Sequence, residues 1–153
     1  MIKLTFAIPL CLAAGLAASF TQAGDFDTEI KARQSWMEVL AYNSGILGAM
    51  TRGRMEYDAD LASAAAKNMS LAAQMNNGSM WPVGSDMNSH EGTVAKAELW
   101  QNFDKVGGLL GDLKTATSQL EMDAGKGLDA LKSAMGDVGK TCSGCHRDFR
   151  AKK

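Results

Sequence analysis

Apolar side chains recur along four stretches of the chain at alternating steps of four and three. In the first stretch the stripe is Phe26, Ile30, Arg33, Met37, Leu40, Ser44 and Leu47. In the second it is Tyr57, Leu61, Ala64, Asn68, Leu71 and Met75. The third runs through Leu99, Phe103, Val106, Leu110, Leu113, Thr117 and Leu120, and the fourth through Leu128, Leu131, Met135, Val138, Cys142, Cys145 and Phe149. Steps of three and four place side chains on one face of an α-helix. Four such stripes predict an all-α fold, a left-handed antiparallel four-helix bundle. The breaks agree with this reading. Thr51-Arg52-Gly53 ends the first helix, Asp58 or Asp60 caps the second, and Asp123-Ala124-Gly125 makes the third and fourth antiparallel neighbours. Residues 76–92 carry Asn, Gly, Pro, Ser and Asp and form a long loop, either functional or a tolerated surface excursion.

Composition narrows the class. With 153 residues, 46% apolar and 22% charged, the chain reads as one globular domain. Aromatics are 7% and methionines number ten, a profile that disfavours a β-sandwich. A formal charge of −1 gives no reason to expect nucleic acid. Residues 1–23 read as a signal peptide. Lys3 precedes an apolar run, and Thr21-Gln22-Ala23 ends in the small residue that a signal peptidase requires. A retained membrane anchor is the alternative, though stable membrane insertion is not expected. Cleavage after Ala23 discards Cys11 and leaves residues 24–153 as the folded domain with two cysteines. The address is then outside the cytoplasm, most simply a bacterial periplasm.

Those two cysteines sit in Cys142-Ser143-Gly144-Cys145-His146. The C-x-x-C-H pattern is that of a c-type haem attachment. On a helix, Cys145 and His146 lie three and four residues beyond Cys142, so all three project to one side. Two thioether bonds can then hold the edge of haem c while the imidazole of His146 reaches the iron. Zinc would need further ligands, and only a distant His90 is on offer. A thioredoxin-like pair would stand at a helix N-terminus after a strand, whereas this motif ends the last helix. A plain disulfide would leave His146 without a role.

A terminal haem motif behind four helical stripes resembles the class II cytochromes c, the cytochrome c prime family. The resemblance rests on Cys142-Ser143-Gly144-Cys145-His146-Arg147-Asp148-Phe149-Arg150 and on Arg33-Gln34-Ser35-Trp36-Met37. Trp81-Pro82-Val83-Gly84-Ser85 and Ala97-Glu98-Leu99-Trp100 add coverage. It implies a periplasmic bundle with one haem, and a homodimer formed through the first two helices.

The residue facing His146 decides the function. By the resemblance, Met37 lies over the distal face of the haem. As a sixth ligand it would give an electron carrier; as a space-filler it would leave an open iron that takes nitric oxide or carbon monoxide. Arg33, a charge on an apolar stripe, needs a partner or an exit to solvent, and a haem propionate matches its fork. The resemblance places Arg150 beside the proximal imidazole, although a basic turn complementing the helix dipole accounts for it equally. Phe149 packs on the proximal face or in the core, and Trp81 closes the distal pocket or stands exposed in the loop. His90 reads as solvated, and Trp36 as a contact between helices or subunits. With two histidines and no phosphate-cradling glycine loop, the chain is not expected to be an enzyme. Periplasmic redox proteins are its expected partners.

Overall fold

The computed structural model describes residues 25–152. The expected signal segment 1–23, with Cys11, lies outside the described residues. The elements are α1 (Asp27–Thr51), α2 (Ala59–Gln74), a 3-10 turn (Gly78–Met80), a short α3 (Glu98–Gln101), α4 (Phe103–Asp123) and α5 (Leu128–Phe149). Helix α1 packs on α2 and α5, α2 on α4, and α4 on α5, so four long helices close a ring. The fold is the expected all-α four-helix bundle.

Local chemistry sets the ends of these helices. Gly53, at φ +68°, turns the chain out of α1 in a conformation that other residues rarely adopt. The Asp58 side chain accepts from the amides of Asp60 and Leu61, both at 2.9 Å, and so starts α2. Between α4 and α5, the Tyr57 hydroxyl donates to the Ala124 carbonyl and accepts from the Gly127 amide, each at 2.9 Å. One side chain from the α1–α2 link thus holds the α4–α5 corner.

The main core joins Leu47, Met50, Met69, Leu113, Leu120, Leu131 and Val138 with Ala62, Ala65, Ala66 and Ala73. A smaller cluster of Leu99, Val106 and Phe149 is packed against by Trp81, Trp100, Leu109, Leu110 and Cys145. Two expectations need correction. The predicted stripe of α2 faces outward: Leu61, Leu71 and Met75 are exposed, Leu71 at 56%. The buried face is the alanine one beside it, because small side chains let α2 approach α1 and α4 while their larger residues fill the space. The third predicted helix is also two helices. Asn102, at φ −127° and ψ 40°, separates α3 from α4 and leaves Phe103 exposed while Leu99 stays buried. Trp36 is a helix–helix contact. It is buried and its indole donates to the Ala72 carbonyl at 2.8 Å.

Candidate functional site

Helix α5 continues without a break through Phe149, so Cys142, Cys145 and His146 share its last turns as the spacing predicts. Both cysteines are free, which leaves the disulfide alternative without support. Cys142 is exposed, and Cys145 is half-buried against the smaller cluster. Desolvation pushes both thiols above their ordinary range; for Cys145 the neighbouring Cys142 and Asp148 add to it. His146 moves the other way, because desolvation and the nearby Arg150 charge both disfavour its protonated form. A neutral imidazole is the form that binds a metal. Among the described residues, no group of three or more His, Cys, Asp or Glu side chains could hold a metal ion.

Arg33 comes from α1 and is 3% exposed. Its Nη1 donates to Ser85 Oγ at 2.6 Å and to the Met80 carbonyl at 3.4 Å. Its Nη2 donates to the Ser85 carbonyl at 2.5 Å and to Thr93 Oγ1 at 2.9 Å. The guanidinium carbon also lies 5.0 Å from the Trp81 ring centroid and 5.7 Å from that of Trp100. Burial lowers the Arg33 pKa and the Asp86 carboxylate offsets part of that effect. The sequence left Arg33 a choice between a partner, for which a haem propionate was the candidate, and an exit to solvent; in the structure it is buried and the loop supplies its acceptors. Gln34 adds a second tether, donating to the Gly92 carbonyl at 2.7 Å.

Met37 is half-buried, one turn beyond Arg33 on α1. Phe149 is buried in the smaller cluster, and Arg150 is exposed at the end of α5, where it forms an antiparallel bridge with Ala95. Trp81 is half-buried and stacked at a tilt on Trp100, ring centroids 6.4 Å apart. His90 is half-buried: its ring packs on Phe26 at 5.6 Å, and its enclosed Nε2 has no partner among the described residues.

These residues fit a haem. Trp81, Leu99, Val106 and Leu110 wall a cavity of about 400 Å³, and Cys145 packs in the same cluster as those side chains. The indole N–H of Trp81 is buried with no acceptor among the described residues. An apolar macrocycle carrying carboxylates offers such a donor a partner, and it offers the free cysteines their bonds.

The chain matches the family model described as Cytochrome C' over residues 28–150. It is 34% identical over 142 residues to cytochrome c' of Cereibacter sphaeroides, covering 93% of this chain and 95% of that one. The solved cytochrome c' from Rhodobacter sphaeroides superposes with a TM-score of 0.82 at 34% identity, covering 85% of this chain and 100% of that one. A further solved cytochrome c', described as having an unusual ligand-controlled dimer dissociation, gives 0.77 at 31% identity and covers 84% and 98%. A bundle closed by four helices, a haem-attachment motif in the last turns of α5 and a match along nearly the whole described chain have one reading: the chain belongs to the cytochrome c' family, and its cofactor is that family's covalently bound haem c.

Proposed function

We propose that residues 24–153 act in the periplasm as a one-electron carrier after removal of residues 1–23. Cys142 and Cys145 hold the haem by thioether bonds and His146 binds its iron from the proximal side. When bound, the haem supplies an iron that cycles between ferric and ferrous states. The chain contributes the fixed turn of α5, a neutral imidazole and an apolar surround that limits water. The observation that carries this reading is the placement of two free cysteines and a neutral-favouring histidine on one face of α5, beside a cluster containing a buried indole without an acceptor among the described residues. Arg33, Trp81, Phe149 and Arg150 complete the surround, Arg33 through the loop it holds.

A second reading has a specific support. The relative with ligand-controlled dimer dissociation is, by its description, ligand-responsive. Here Met37 would fill space instead of ligating, and the iron would bind nitric oxide or carbon monoxide. The outer face of α1 and α2 supports a homodimer, since Val39, Tyr42, Leu61, Leu71 and Met75 are all exposed there.

An absorption spectrum of the ferrous protein with and without carbon monoxide separates the two readings. A low-spin spectrum unchanged by the gas supports Met37 ligation and electron transfer. A high-spin spectrum that shifts on adding the gas supports the gas-binding reading. The Cys142→Ala/Cys145→Ala variant should retain no haem after acid–acetone extraction; covalent haem in that variant would sink the attachment assignment.

A further inference from the structure

Helix α5 ends without a glycine to close it. The last carbonyls of a helix lack partners within it, and a glycine just past the final turn is a common remedy. Here Arg150-Ala151-Lys152 follows instead, and Arg150 is extended, at φ −114° and ψ 127°. The His146 carbonyl still accepts from the Arg150 amide at 3.2 Å. The Ala151 amide, next in line, turns away to the Val94 carbonyl at 2.9 Å. Arg147, in the same turn, directs its Nε to the Asp148 carboxylate at 3.3 Å.

The donors for this turn come from a residue of the long loop, 52 positions from Asp148. The Lys96 amide donates to the Phe149 carbonyl at 3.0 Å, and its Nζ donates to the Asp148 carbonyl at 3.2 Å. One half-buried residue thus serves two successive carbonyls at the helix end. Lys96 is itself fixed on both sides. Ala95 pairs with Arg150 in the antiparallel bridge, and its carbonyl accepts from the Met87 amide at 2.8 Å. The Lys96 carbonyl accepts from the Leu99 amide at 3.1 Å, where α3 begins. Further back, Thr93 Oγ1 accepts from Arg33 at 2.9 Å, which ties this stretch to α1.

His146 lies within the turn that Lys96 closes. A turn with unpaired carbonyls frays, and a ligand carried on it is free to swivel. Metal-bound imidazoles take their orientation from contacts beyond the metal. We propose that Lys96 is a positioning residue for His146: its amide and its ammonium close the last turn of α5 from outside the helix, and so fix the plane in which the imidazole meets the haem iron. This role rests on the reading that His146 ligates the iron. It runs a chain of contacts from Arg33 on α1, through Thr93 and Lys96, to the proximal side of the haem.

The test uses the ferric holoprotein and proton NMR of the haem methyl groups, whose paramagnetic shifts follow the orientation of the axial imidazole plane. Lys96→Met removes the ammonium while keeping the amide and a long apolar stem. It should move the methyl shifts by several ppm, and Lys96→Arg, which restores a cationic donor, should return them most of the way. Ala151→Pro removes the Ala151 amide from the bridge without touching Lys96. It should move the same resonances, and it decides the question if Lys96→Met takes up no haem. Wild-type shifts in Lys96→Met, even with a lowered melting temperature, would make Lys96 a structural tie only and overturn its positioning role. Equal displacement in Lys96→Met and Lys96→Arg would overturn it too, because a cation at this site would then have no part in it. His146→Ala tests the ligation separately. Wild-type shifts in that variant overturn His146 ligation and the role of Lys96 with it, whereas altered shifts there beside unchanged ones in Lys96→Met overturn the role of Lys96 alone.

Discussion

Arg33 shows how one side chain can organise a loop. A buried guanidinium keeps its charge only if its donors are satisfied, and here both terminal nitrogens are, by Ser85, Thr93 and the Met80 carbonyl. Removing the side chain also strands buried acceptors at Ser85 and Thr93. Arg33→Ala should therefore cost about 3 kcal/mol in urea unfolding of the holoprotein. Arg33→Lys should recover only part of this, because an ammonium cannot reproduce the fork. Limited proteolysis of the two variants should cut first within residues 80–93. Cleavage at wild-type rates would show that the loop does not depend on Arg33. The sequence marked Arg33 as a charge on an apolar stripe that needs a partner or an exit to solvent. It did not reveal the acceptors, because Ser85 and Thr93 are 52 and 60 residues away and meet Arg33 only after the loop folds back.

The same division between local and distant information governs the elements. The four long helices were legible because a period of 3.6 is a local property of the chain. Which face of α2 turns inward was not. That helix carries large apolar residues on one side and alanines on the other, and periodicity favours the large ones. The bundle buries Ala62, Ala65, Ala66 and Ala73, which let helix axes approach closely. Opposite outcomes follow for the two faces. Ala66→Leu should overpack a site with no exposure and cost about 1–3 kcal/mol. Leu71→Glu, on the exposed face, should change monomer stability by no more than about 0.5 kcal/mol. In sedimentation velocity it should shift a dimer toward monomer, and an unchanged dimer would move the interface off α2.

The corner after α4 adds a pH dependence. Asp123 accepts from Gln119 at 2.6 Å and from Lys126 at 2.9 Å, and these partners hold its carboxyl below the usual aspartate range. A lowered folded pKa means the contribution is present above the unfolded value of about 3.9 and is lost as pH falls through the folded one. Asp123→Asn should flatten the acid limb of the stability–pH curve slightly, read by thermal melts between about pH 2 and pH 5. The effect is small because the group is exposed.

At the scale of the molecule, the two clusters divide the work. The larger one joins α1, α2, α4 and α5 through thirteen buried residues. The smaller one has three buried residues, and everything around it depends on connections between distant parts. The loop is tied to α1 through Arg33 and Gln34. It is tied to the end of α5 through the Lys96 amide on the Phe149 carbonyl and the Ala151 amide on the Val94 carbonyl, at 3.0 and 2.9 Å. A bound haem would lie against the smaller cluster and supply the apolar body that three residues cannot. Without it, the loop end should open locally while the other end stays folded. Hydrogen exchange on the Cys142→Ala/Cys145→Ala variant should show protection lost over residues 78–100 and retained in α2 and over residues 113–138. Uniform loss across both regions would mean that the haem supports the whole bundle, and the separation into two clusters would have no energetic meaning.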